Sequence, residues 1–281
     1  MQQRRWFIAL LTLLTITGCS TSFSYRFADT YLEWQLAKYV DLSGQLEDEV
    51  SASIDALHQW HGQTQMPRYR DFLDRLIADI EKPELSREDL YVYSFQVFDF
   101  WHSLRMQIEP LAQTYLPRLS LEQQAMLIER LNERLEEKRE ENKEALADPE
   151  AQLDELYDAA EEWLGALTVE QRALLKDAYN AAEQDDSEWI AYQQRWLTVF
   201  TETLLRPNAA DFEANVQMLM TSPEQLQSDA LTQQREANRE RTISLLVALH
   251  QQLTPKQKRH LQRKLQDYRD TVAAIAEDYV I

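Results

Sequence analysis

His58 and His61, in the stretch His58-Gln-Trp-His61, are the side chains whose type and spacing come nearest to metal chemistry. A helix brings residues three apart onto one face, and neutral imidazole is a zinc ligand. A closed site needs one or two more ligands, and neither a cysteine nor a third spaced histidine follows nearby. The pair therefore reads as the polar end of a helix beside Trp60, and neither a metal nor any other cofactor is expected. His102, His250 and His260 form no constellation, and the chain has no Gly-rich phosphate loop and no serine in a nucleophile-elbow context. Carboxylate pairs abound, but 48 acids supply them by chance. No catalytic residue can be named, and a binding protein is expected rather than an enzyme. A metal-dependent enzyme using His58 and His61 is the least favoured alternative.

The amino terminus carries a different chemistry. Arg4 and Arg5 precede an apolar run from Trp6 to Ile16, which leads into Ile16-Thr17-Gly18-Cys19. The run is too short for the roughly 20 residues a spanning helix needs, and small residues before a cysteine mark a processing site. Residues 1–18 read as an export signal, and the tetrad resembles the lipobox of bacterial lipoproteins. That resemblance implies diacylglyceryl transfer to the Cys19 thiol, cleavage, and an acylated (palmitate-bearing) N-terminus on a mature domain over 19–281. Ser20, rather than aspartate, follows Cys19. By resemblance to lipoprotein sorting this implies the outer membrane, with the body facing the periplasm and several acyl chains holding it stably.

Cys19 is the single cysteine, so lipidation leaves no thiol for a disulfide and stability must come from packing. Without the leader, 27 bases face 48 acids, a charge of −21. Such a field disfavours nucleic acid and anionic head groups. Charge is also uneven. Thirteen acids and four bases lie between Glu133 and Glu162, whereas Lys256, Lys258, Arg259, Arg263, Lys264 and Arg269 make the end of the chain basic. Docking of that basic helix near the acidic hairpin is expected.

The segment Tyr91 to Trp101, YVYSFQVFDFW, is apolar on nearly every side of a helix. Such a helix is usually buried at the centre of a bundle. The alternative is a partly open aromatic groove that binds peptide or lipid, for which Tyr91, Tyr93, Phe95, Phe98 and Trp101 are the candidate binding residues.

The elements that must position these residues are helices. Three glycines remain after the leader, and apolar residues recur at spacings of three and four, as in Tyr69, Phe72, Leu73, Leu76, Ile77, Ile80 and in Leu261, Leu265, Tyr268, Val272, Ile275. Capping boxes mark starts at Ser120 with Gln123 and Thr168 with Gln171, and Thr254 with Gln257 and Ser222 with Gln225 add proline at the first helical position. Ser86 with Asp89 is a weaker version. These signals predict an all-α array of about ten antiparallel-packed helices, near 29–41, 43–61, 67–81, 86–116, 120–147, 149–164, 168–184, 187–206, 208–220 and 228–279, the last broken at Thr254. Pro110 should kink or end the fourth. No linker divides the chain cleanly, and the nearest to a boundary is Asp148-Pro149.

Two resemblances follow. The lipobox at Cys19, Tyr25 with Ala28-Asp29, Asp41-Leu42 with Gln45, Trp60-His61 with Pro67 and Tyr69, Trp163 through Gln171, Asn238-Arg239 and Leu253 through Gln257 resemble an uncharacterised family of proteobacterial lipoproteins. This implies the address and the helical fold, and no activity. The L-T-x-x-Q boxes at Leu167 and Leu253 are similar to those of the Spy and CpxP periplasmic chaperones, which implies a holdase for unfolded envelope proteins as the alternative function. The first expectation is an adaptor or envelope assembly factor that binds an envelope protein or peptide, touches the membrane through the acyl chains on Cys19, and does not bind nucleic acid. On the sequence alone, the boxes start helices.

Overall fold

Four of the predicted helix starts are built as capping boxes. At Ser86, Ser120, Thr168 and Thr254 the hydroxyl accepts from the N3 amide, while the N3 side chain, Asp89, Gln123, Gln171 or Gln257, accepts from the N-cap amide. Each pairing satisfies two amides that a helix start otherwise leaves orphaned. Ser222 behaves differently: it makes no side-chain cap and precedes only a short 3₁₀ turn, Pro223–Leu226. The long helix begins later, where Ser228 Oγ accepts from the Leu231 amide at 3.1 Å.

The computed structural model describes residues 25–279. The leader over 1–18 and Cys19 lie outside the described residues. Among the described residues the protein is all-α, with no strand. The helices are α1 (Ala28–Ala37), α2 (Gly44–Trp60), α3 (Met66–Ile80), α4 (Arg87–Tyr115), α5 (Leu121–Ala147) and α6 (Pro149–Leu164). They continue as α7 (Val169–Ala181), α8 (Ser187–Leu204), α9 (Phe212–Thr221), α10 (Asp229–Gln251) and α11 (Pro255–Asp278).

Pro110 lies inside α4, which runs on to Tyr115, close to the end of the predicted 86–116, so the proline does not end the helix. One junction differs from expectation. The predicted gap between 61 and 67 is instead a π-helical turn, His61–Gln65, that joins α2 to α3 without a break. Pro67 explains it. Its ring would crowd the carbonyl of Gln63 one α-turn back, and its missing amide leaves that carbonyl without a donor, so a wider turn relieves both.

The two apolar stripes read separately from the sequence meet each other. Leu73 and Ile80 of α3 pack against Leu265 of α11 and Trp163 of α6, with Phe72, Leu76, Ile77, Leu261, Tyr268 and Val272 around them. Further clusters join α5 to α8 through Leu135, Ile190 and Leu197, and α7 to α10 through Leu175, Leu245 and Leu249. A third gathers Val40, Leu119 and Leu204 beneath the start of α5. The N- and C-terminal ends of the described chain also come together, with Arg26 Nη2 2.9 Å from Asp278 Oδ2.

Candidate functional site

The histidine pair sits where the chain ends meet. Each ring nitrogen faces an oxygen: Tyr25 Oη lies 2.8 Å from His61 Nδ1, and Tyr69 Oη lies 3.2 Å from His61 Nε2. Tyr279 Oη is 3.0 Å from His58 Nε2, and Asp29 Oδ2 is 3.5 Å from His58 Nδ1. A neutral imidazole has one donor and one acceptor, so of the two phenols at His61 one donates and the other accepts. Burial, and then the neighbouring His58, push the His61 pKa down from 6.5 to about 4. Burial also raises the phenols of Tyr25, Tyr69 and Tyr279. The Thr30 amide, with His58 contributing, holds the Asp29 carboxyl below the usual carboxylate range.

Both imidazoles are thus engaged by oxygens rather than turned toward a common point. An open cleft of about 430 Å³ lies alongside, lined in part by Asp29, Asp55, His58, Gln63 and Tyr279. Gly62, in the π turn, makes the packing possible: a Cβ there would sit 2.5 Å from Cγ of the Tyr279 ring. Chemically the cluster is a polar joint that fastens the segment around Tyr25 and the end of α11 onto the α2–α3 junction. The histidine spacing was visible in the sequence. Its phenolic partners come from positions 25, 69 and 279 and have no local signal.

The aromatic segment of α4 is split between core and solvent. Tyr93 is buried and donates to Asp79 Oδ2 at 2.8 Å. Phe100 packs edge-on against Tyr69 and Phe72. On another side Val92, Phe95 and Met106 are 59%, 58% and 47% exposed. Tyr91 and Phe98 are half-buried, share a side with Phe95 at spacings of four and three, and the Tyr91 ring stacks on Phe95 at 6.5 Å. The Arg239 guanidinium of α10 lies 5.7 Å from the Phe95 ring. Trp101 is exposed too, three residues beyond Phe98 but on the side of the helix opposite Val92. The five candidates therefore do not line one groove: Tyr91, Phe95 and Phe98 come together, Tyr93 is core, and Trp101 lies beyond Phe98, turned away from Val92.

The L-T-x-x-Q boxes do more than start helices. Gln171 Nε2 donates to Gln257 Oε1 at 3.0 Å, and Gln257 Nε2 donates to Gln171 Oε1 at 2.8 Å. Each amide also reaches the segment leading into the other box, Gln171 to the Gln252 carbonyl at 3.1 Å and Gln257 to the Ala166 carbonyl at 3.0 Å. Both contacted carbonyls lie two residues before the partner's N-cap threonine, so the contacts are reciprocal. Gly165, at φ 75°, supplies the left-handed residue that turns the chain from α6 into this approach. The Ser120 box repeats half of the pattern, with Gln123 Nε2 donating to the Asp41 carbonyl at 2.6 Å, two residues before Ser43, the N-cap of α2.

The expected docking between basic and acidic segments is made at Glu162, where His260 and Lys264 both reach its carbonyl oxygen. Lys264 Nζ is 2.7 Å from Glu162 Oε1 and 4.7 Å above the Trp163 ring. Arg259 and Arg263 are exposed, while Arg269 turns to Asp74 of α3 at 2.8 Å. Along α5 the acids pair mainly within their own helix, as in Arg134 with Glu137 at 2.6 Å.

Fold and sites together define an all-helical protein with a polar joint at its chain ends and a partly solvent-facing aromatic helix. The chain belongs to the family of unknown function DUF6279, whose model matches residues 38–231. The match includes the histidine pair, α4 and the Thr168 box; it begins just after α1 and ends before the Thr254 box. No curated protein and no solved structure matches the chain.

Proposed function

We propose that the protein is a lipoprotein of the outer membrane, anchored through Cys19 with its body in the periplasm, that works by holding another envelope protein. The exposed apolar stripe of α4 carries this reading. Val92 and Phe95 leave large apolar surface in water on a helix whose other side is well packed, and exposed apolar surface of this kind marks interaction sites; Met106 lies further along the same side, beyond exposed Asp99 and His102. Half-buried Tyr91 and Phe98 widen the patch around Val92 and Phe95, with Arg239 beside the Phe95 ring and Asp99 following one turn on.

Removing exposed side chains separates binding from folding. Phe95→Ser combined with Val92→Ser is expected to abolish co-purification of the partner with the lipidated protein from envelope extracts, without lowering Tm by more than a few degrees. Trp101→Ser, off the stripe, is expected to retain it. Equal partner recovery from the double variant, the Trp101 variant and the unsubstituted protein would sink the proposal. A broad collection of unfolded envelope proteins in place of one partner would favour a holdase.

A further inference from the structure

A second apolar surface lies on α1. Phe27, Tyr31 and Trp34 are 53%, 55% and 57% exposed, with Leu32 beside them. They recur at spacings of four and three and continue to Lys38, so they form one stripe of the helix. The Tyr31 and Trp34 rings lie 5.8 Å apart, and Lys38 Nζ sits 3.4 Å above the Trp34 ring.

The exposure does not come from a helix left loose. The other side of α1 is fastened to the body by Asp29 at His58, by Glu33 accepting from Ser51 of α2, and by Leu36 in the cluster around Val40. The preceding residues are fastened as well, through Tyr25 at His61 and Arg26 at Asp278. The stripe is therefore held in a fixed direction relative to the body.

From these observations we infer that the Phe27, Tyr31, Trp34 and Lys38 stripe of α1 lies against the lipid surface and sets the orientation of the body on the membrane. This rests on the proposed acyl anchor at Cys19. Six peptide bonds separate Cys19 from Tyr25, which span at most about 20 Å, so α1 cannot leave the vicinity of the anchoring surface. Tyrosine and tryptophan favour the membrane interface, where an apolar ring body meets a polar edge, and a lysine beside them can reach the phosphates. No helix of the described residues is long and apolar enough to cross a membrane, so the contact is interfacial. It also offsets the repulsion between a strongly acidic body and anionic head groups.

The test uses the lipidated full chain. With Cys19 acylated, Thr30→Cys beside the stripe, or Glu140→Cys on exposed α5, supplies the single free thiol for an environment-sensitive fluorophore. Each protein is reconstituted into phosphatidylethanolamine–phosphatidylglycerol vesicles with and without nitroxide-bearing lipid. The expected result is at least twofold greater quenching at position 30 than at 140, lost when Phe27, Tyr31 and Trp34 are all changed to serine although the protein still floats with the vesicles. Flotation with equal quenching at both positions overturns the inference and leaves the anchor standing. Failure of the lipidated chain to float, with behaviour identical to Cys19→Ala, removes the anchor and the inference with it.

Discussion

Gln171 and Gln257 form a reciprocal pair of amide hydrogen bonds, at 3.0 and 2.8 Å, in a site where Gln171 is wholly buried. Each glutamine caps its own helix and grips the other helix's approach, so the two starts are locked as a unit. Removing one amide strands the other, and an unsatisfied buried polar group costs about 1–3 kcal/mol. Gln171→Ala and Gln257→Ala should each lower stability by about that amount. In denaturant unfolding the double variant should cost clearly less than the sum of the two, because the second change removes a group already stranded. Strict additivity would contradict the lock.

The His61 joint predicts a pH effect. Its folded pKa, about 4, lies below its ordinary 6.5, so the folded state disfavours the protonated ring. Its contribution is complete above pH 6.5 and is lost as pH falls through the window down to about 4, where the unfolded chain takes up a proton first. The limiting slope for one such group is about 1.4 kcal/mol per pH unit. His61→Gln should flatten the fall in Tm across that window relative to the unsubstituted protein. Parallel curves would show that His61 does not titrate as its burial requires.

Gly62→Ala tests the seat of the Tyr279 ring. The added methyl meets the base of the ring, Cγ at 2.5 Å and Cδ1 at 2.7 Å, so the ring must leave. Overpacking of this kind costs about 1–3 kcal/mol. The loss should shrink markedly when Tyr279→Ala is made as well, and an undiminished loss would place the strain elsewhere.

Charge reversal along α11 should be selective. Lys264→Glu breaks the contact with Glu162 and opposes two like charges, whereas Arg259→Glu and Arg263→Glu alter exposed positions. Thermal melts at low and high salt should show a salt-dependent drop for Lys264→Glu and little change for the other two. Equal effects from all three would indicate a diffuse field in place of a specific dock.

Helices were legible because each start carries its own signal: hydroxyl, glutamine and an apolar neighbour lie within a few residues at Ser120, Thr168 and Thr254. The Tyr69 to Ile80 and Leu261 to Ile275 stripes were legible for the same local reason, though not that they face each other. Pairings across long stretches of chain leave no periodic trace, which is why the Gln171–Gln257 lock and the phenols around His61 were not foreseen. The Pro67 π turn looks like a break in the sequence, since a proline signals the loss of one helical bond and does not say whether the helix widens or stops. For Tyr91 to Trp101 the composition is apolar on all sides, so burial could not be assigned by pattern. Tyr93 went to the core and Phe95 to the surface.

The central proposal, that a partner is held on the exposed side of α4, is most directly tested by site-specific photo-crosslinking in cells, with the photoreactive residue placed at Phe95, Trp101 or Glu140. One dominant adduct is expected from position 95, with little from 101 and none from 140, and it should be lost when Val92 is changed to serine in the same protein. Adducts of equal strength and identity from all three positions, or none from position 95, would contradict it.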